Sequence, residues 1–176
     1  MKQDIKPSEL SQPLSVQLKS IADELVQTLR HVKQEHINQV PFTGSWTAGQ
    51  LGEHVRLSVT GITGLLNGPT GDTNRSPDKY VQALKTMFLD FDLKFVAAPA
   101  ITPADQFYDK GSLTEELAAA FESLMGITET KDLTDSCTAF EFPGMGYLTR
   151  LEWIYQTIYH TQRHTQQLNN IAVKFQ

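Results

Sequence analysis

The chain is poor in everything that would mark a special class. Its 176 residues hold one cysteine, Cys137, so no intramolecular disulfide is possible and no oxidising compartment is required. No apolar run approaches the ~18 residues that a membrane span needs. There is no cluster of Lys and Arg, and 15 basic side chains against 20 acidic ones leave a net charge of −5. Nucleic acid is therefore not expected as a partner, because phosphate contacts dominate that kind of binding. Polar sequence follows Met1-Lys2-Gln3-Asp4 with no apolar h-region, so no secretory signal is expected and the chain reads as cytoplasmic. Strand-like alternation never lasts more than a few residues, and internal repeats and low-complexity tracts are missing. An apolar fraction of 40% with 20% charged residues excludes a disordered chain and fits one globular domain with a proper core. With so little cysteine, any metal site has to rest on histidine and carboxylate.

What is present is helical periodicity. Residues 1–13, with Pro7 and Pro13, read as an arm, and 14–176 as a single domain. Leu14, Leu18, Ile21, Leu25, Leu29 and Val32 form one stripe of a first helix. Thr47-Ala48-Gly49-Gln50 has the form of a capping box, opening a second helix whose stripe runs through Leu51, Val55, Ser58, Ile62 and Leu65/Leu66 until Gly68-Pro69. Pro77 suits the first turn of a third helix, with a face made of Tyr80/Val81, Leu84, Met87/Phe88, Phe91 and Phe95. Ser112-Leu113-Thr114-Glu115 reads as another capping box, before Leu117, Phe121 and Leu124. An irregular stretch from Asp132 to Gly146 precedes a last helix over roughly Tyr147 to Val173. The class is all-α, and several one-faced helices of this length argue for a bundle.

The last helix carries the chemistry. His160 and His164 are four residues apart, which puts both imidazoles on one face with Cβ atoms about 6 Å apart. Such a pair can converge on one cation, although Thr161 stands where a zinc protease would have glutamate. Trp153, Thr157, His160, His164, Leu168 and Ile171 lie along one line of the helix, so the pair looks inward. Two buried rings need partners, and hydrogen bonds within the core would serve as well as a metal. His54, on the buried side of the second helix beside Val55, adds a third ring. Three neutral imidazoles from two facing helices leave coordination positions open, as a catalytic metal site requires. His31 and His36 stand near the polar end of the first helix and read as solvent-exposed.

The segment Trp46-Thr47-Ala48-Gly49-Gln50-Leu51-Gly52-Glu53-His54-Val55 resembles the Trp-Thr…His block of the DinB/YfiT-like superfamily of metal-dependent proteins. Leu148-Thr149-Arg150-Leu151-Glu152-Trp153, continued by His160-Thr161-Gln162-Arg163-His164-Thr165-Gln166-Gln167-Leu168, resembles that family's closing helix. Pro143-Gly144-Met145-Gly146 fits the loop before it. The resemblance implies a four-helix bundle core with an additional helix, a divalent metal on His54, His160 and His164, and a homodimer. Some relatives are transferases or isomerases that use low-molecular-weight thiols such as bacillithiol or mycothiol. A small-molecule substrate, with such a thiol or water activated by the metal, is then the expected chemistry, of thiol S-transferase or hydrolase type. The alternative is a non-catalytic, metal-binding, stress-associated bundle that dimerises. Three-histidine sites accept zinc, nickel, iron or cobalt.

Helix geometry proposes neighbours for the site. Gln50, one turn before His54, and Gln167, three residues after His164, could reach the ligand face, with a capping amide and a solvated side chain as their plain alternatives. Trp46, Trp153 and Tyr159 could wall a pocket or simply be core. Glu53 and Arg163 adjoin ligands in sequence but point about 100° away, so neither is expected to be a ligand. Cys137, in a loop without a basic neighbour, is not expected to be a nucleophile.

Overall fold

Leu18, Leu25 and Leu29 lose all contact with solvent, and their spacing of seven and four residues makes one face of a helix. That helix, α1, spans Leu14–His31 in the computed structural model, which describes residues 12–175. Four more helices follow among these residues: α2 (Ala48–Asn67), α3 (Val81–Leu89), α4 (Lys110–Thr130) and α5 (Arg150–Val173). Both α1 and α2 pack against α4 and against α5. The bundle order around its axis is thus α1, α4, α2, α5, and α3 is an addition that leans on α5. The fold is all-α, a four-helix bundle core with one extra helix. None of the helices among the described residues is long and apolar enough to cross a membrane. Of the expected arm, residues 1–11 lie outside the described residues.

The start of α2 follows the expected chemistry. The Thr47 side chain accepts from Gln50 N at 3.1 Å, and the Gln50 side-chain oxygen accepts from Thr47 N at 3.0 Å, closing a capping box. Gly49 and Gly52 bring this helix close to its neighbours. A Cβ at Gly49 would stand 2.9 Å from the Tyr108 Cβ, and one at Gly52 would stand 3.0 Å from a Leu113 methyl. The helix that carries His54 therefore sits deeper than any larger residue would allow.

Three boundaries depart from the sequence reading. α4 starts at Lys110, because Asp109 is the residue that caps it, accepting from Ser112 N at 2.9 Å; aspartate and serine cap about equally well, and here Ser112 becomes part of the first turn. α5 starts at Arg150, not near Tyr147, because Thr149 and Glu152 close a second capping box there. α3 stops at Leu89, so Phe91 and Phe95 belong to no helical face and are about half exposed. Two dipeptide strands, β1 (Thr70–Gly71) and β2 (Ser136–Cys137), pair antiparallel; they are too short to show alternation.

Glu152 is the anchor of α5. Its side chain is 0% exposed, and its two oxygens accept from both terminal nitrogens of Arg75 at 2.7 Å. The same carboxylate takes Tyr80 N at 2.8 Å and Thr149 N at 2.9 Å. One buried charge thus joins the start of α5, the approach to α3 and the 68–80 loop, with its lone pairs satisfied. Glu152→Ala is expected to cost about 3 kcal/mol or more in urea unfolding, because it strands the Arg75 guanidinium. The pair Glu152→Leu with Arg75→Leu is expected to cost less than the single substitution.

Candidate metal centre

Three histidines meet where α2 faces α5. His160 and His164 stand one turn apart on α5, His54 comes across from α2, and all three are buried. Their Nε2 atoms form a small triangle, with sides of 3.2 Å (His54 to His160), 3.1 Å (His54 to His164) and 2.9 Å (His160 to His164). Each ring meets the others edge-on, so the nitrogens converge without the planes stacking.

The outer nitrogens decide which protons are available. His54 Nδ1 lies 2.7 Å from the Ile101 carbonyl oxygen. A carbonyl only accepts, so Nδ1 carries the hydrogen and Nε2 of the neutral ring is a bare lone pair. His164 Nδ1 lies 2.7 Å from the Gln167 side-chain oxygen, which makes the His164 Nε2 a second bare lone pair. These two lone pairs face each other at 3.1 Å. His160 has one proton and can place it toward only one of them. Hydrogen bonding among neutral rings therefore leaves the triangle frustrated, whereas a cation between the three nitrogens satisfies every lone pair at once.

Protonation does not offer that cation near neutral pH. Burial lowers the pKa of all three rings. That of His160 falls well below its ordinary value, and that of His164 is pushed down to about 3. The other two histidines and the Arg163 guanidinium add to the effect on His160. The rings stay neutral and available as donors to a metal. Among the described residues, no cysteine or carboxylate joins the three histidines in a potential ligand cluster. The donor set suits zinc, nickel, iron or cobalt, which imidazole serves well, and leaves room for further ligands.

Around the triangle the residues expected from helix geometry divide. Gln167 touches His164 directly. Trp46, half-buried, packs its ring 4.9 Å from His54. Gln50 is turned to its capping box, because the orphan amides at the start of α2 claim the side chain first. Trp153 packs on Phe140 and Phe142, a helical turn and more before His160, and Tyr159 stacks on Tyr155. Glu53 bonds Arg56 at 2.7 Å, away from the cluster.

Outside the site, the exposure of His36 and the surroundings of Cys137 differ from the sequence reading, while Cys137 remains no nucleophile. His36 is half-buried, not solvent-exposed, because its ring stacks on Phe175 with centroids 4.7 Å apart; His31 is exposed. Cys137 lies in β2 with no exposed surface, and Arg150 is near enough to favour its thiolate. Burial outweighs that and pushes the thiol up to about 11, so it is no nucleophile at neutral pH.

Several contributors escape a reading of the sequence. Ile101 acts through its backbone, which leaves no mark in residue type. Phe88, at the end of α3, sets its ring edge-on to His160 at 5.7 Å, and Phe95 stacks on Phe88 at 5.6 Å. Arg163 holds this wall. Its guanidinium donates to the carbonyls of Phe88 at 3.2 Å, of Asp90 at 2.8 Å, and of Leu93, and it lies over the Phe95 ring. A cation placed on the open carbonyls at the end of α3 is favourable both as a cap and against the helix dipole.

The sequence profile of the DinB superfamily matches residues 17–168. No curated protein and no solved structure matches the chain.

The low pKa values set a pH dependence for the metal-free protein. A histidine held neutral when folded binds fewer protons than its unfolded counterpart, so its contribution is intact above about 6.5 and is lost as pH falls below it. The metal-free protein is expected to lose stability from pH 6.5 downward, with a slope of about 1.4 kcal/mol per pH unit from a ring such as His164 that stays neutral while folded. In thermal unfolding from pH 8 to 5, His164→Asn should show a shallower acid limb than the parent chain.

Proposed function

Because this chain belongs to the DinB superfamily, we propose that it is a metal-dependent enzyme in which His54, His160 and His164 hold a divalent cation. The reaction class is transfer of a small thiol to an electrophilic substrate, or hydrolysis of a small molecule. The observation that carries this reading is the convergence of three buried ring nitrogens within 3.2 Å of one another, while Nδ1 of His54 and of His164 are engaged outward. When bound, such a cation supplies Lewis acidity that draws the pKa of a water or thiol toward neutrality.

This chain's own residues supply the rest. Three neutral donors leave the charge of a divalent ion unneutralised, and Arg163 adds positive potential, so an anion (thiolate or hydroxide) is the ligand this surrounding favours. Ile101 and Gln167 fix the orientation of two rings. Trp46, Phe88 and Phe95 give an aromatic wall that shields the triangle from water and suits an apolar part of a substrate. The sulfur of any thiol reaction has to come from a cosubstrate, since Cys137 is buried and protonated.

A second reading rests on a different observation. All three histidines are less than a tenth exposed, and they connect α2 to α5, which is what a structural cation in a non-catalytic bundle would use.

Elemental analysis of protein prepared without an affinity tag is expected to find about one divalent ion per chain, and His160→Ala should lose it. Metal-replete protein should then turn over a small thiol with an electrophile, or hydrolyse a small ester or amide, and a chelator should stop it. Protein that holds no metal overturns both readings. Metal without any turnover, together with a chelator effect confined to thermal stability, supports the structural reading instead.

A further inference from the structure

Two of the three rings have an acceptor behind them and the third has none. Nδ1 of His54 is held by the Ile101 carbonyl and Nδ1 of His164 by the Gln167 amide. Nδ1 of His160 is buried with no hydrogen-bond partner. Metal-binding histidines almost always donate their second N–H to an acceptor, which fixes the ring and raises its basicity. A buried ring nitrogen left without a partner costs on the order of a few kcal/mol.

Among the described residues, three other buried side-chain atoms also have no partner: Trp153 Nε1, Gln156 Oε1 and Thr161 Oγ1. Trp153 Nε1 is a donor and cannot serve another donor. Thr161 follows His160 directly, so its side chain leaves the helix about 100° away. Gln156 Oε1 is an acceptor. Gln156 stands four residues before His160, on the same face of α5, and helical side chains lean toward the N-terminal turn, which here is the turn of Gln156. Gln156 itself is 6% exposed, so its amide oxygen has no ready route to solvent.

We propose that Gln156 is a positioning residue for His160: its amide oxygen accepts the Nδ1 proton when His160 gives its Nε2 lone pair to the cation. The inference rests on the metal reading above. It explains why two complementary groups, one turn apart, are both unpartnered. Within the triangle alone, His160 keeps its single proton on Nε2, where it can face a lone pair of His54 or His164. Nδ1 is then itself a lone pair, and it gains nothing from the oxygen of Gln156. With Nε2 committed to a cation the same proton sits on Nδ1, and the two groups become donor and acceptor. The ring carries one proton in both arrangements, so no proton is gained or lost by the ring.

The test uses zinc and the full-length chain. Zinc affinity, measured by competition with a chromophoric chelator, is expected to fall about 10- to 100-fold in Gln156→Met, which keeps the volume and removes the acceptor. Gln156→Glu restores an acceptor and should bind zinc at least as well as the parent. Thermal unfolding in the presence of chelator should show both variants folded, because the amide oxygen has no partner to lose. In the zinc-loaded parent labelled with 15N-histidine, the Nδ1–H of His160 should appear as a slowly exchanging resonance, absent or fast in Gln156→Met. If Gln156→Met binds zinc within twofold of the parent, or the parent shows no protected His160 Nδ1–H, the inference is overturned while the metal site stands. If the parent takes up no divalent ion at all, the site reading and this inference fall together.

Discussion

The structure depends on a constraint of polar burial: three imidazoles are packed into the crossing of α2 and α5 with their nitrogens aimed at one point. In an apolar interior a nitrogen lone pair has to meet a hydrogen or a cation. Here the Ile101 carbonyl and the Gln167 amide draw the hydrogens of His54 and His164 to the outer side of the rings. The inner side is thereby left electron-rich. Desolvation works in the same direction by making imidazolium expensive. The site is prepared by its outer hydrogen bonds, and each is supplied by a group with little apparent chemistry: a peptide carbonyl and an amide.

Such a centre requires α5 to be held rigidly along its length, and three charged residues do this. Glu152 sets its start through Arg75 and two backbone amides. Arg150 reaches the Leu66 carbonyl at the end of α2 and the carbonyl of Asp132. Arg163 reaches the last carbonyls of α3. Both arginines occupy the C-terminal ends of other helices, where a guanidinium satisfies carbonyls that have no partner within their own helix. Two of the three helices that α5 packs against are therefore tied to it by charge as well as by apolar contact. The position of His160 relative to His54 is inherited from these ties. The small residues Gly49 and Gly52 complete the arrangement from the α2 side.

How much of this was legible in the chain depends on whether the signal is local. The stripe of α1, the capping box at Thr47 and the i,i+4 histidines are local patterns, and each appears in the structure where periodicity placed it. The convergence of His54 with the other two follows from one further premise, that inward-facing stripes on neighbouring helices meet. The α4 boundary was misread because two acceptable caps, Asp109 and Ser112, lie three residues apart and only the fold selects between them. Phe91 and Phe95 continue the spacing of α3 by accident, after the helix has ended and Arg163 has taken its carbonyls. Ile101 was beyond reach in principle: its role belongs to a peptide oxygen placed by a short 3-10 turn, and any residue type could supply it. The roles of Gln50 and Gln167 were ambiguous for a related reason. Both amides had two claims on them, and the nearest orphan donor won in each case, Thr47 N for one and the His164 ring for the other.

The charge of the centre constrains what it can do. A divalent ion held as proposed on three neutral rings would keep its formal charge, because among the described residues no carboxylate belongs to the ligand cluster. Arg163, the nearest guanidinium in sequence, is occupied by peptide carbonyls, with the Asp90 carboxylate close enough to offset part of its charge. A buried region of net positive charge is stable only when something negative enters it. On the metal reading proposed above, the favoured incoming ligand is therefore small and anionic, or becomes anionic on binding. A thiol and a water molecule both meet that condition by losing a proton, which an ether, with no proton to lose, cannot do. If the centre is the Lewis acid proposed above, the same charge narrows its partners, and the aromatic side chains of Trp46, Phe88 and Phe95 nearby favour molecules whose remaining surface is apolar.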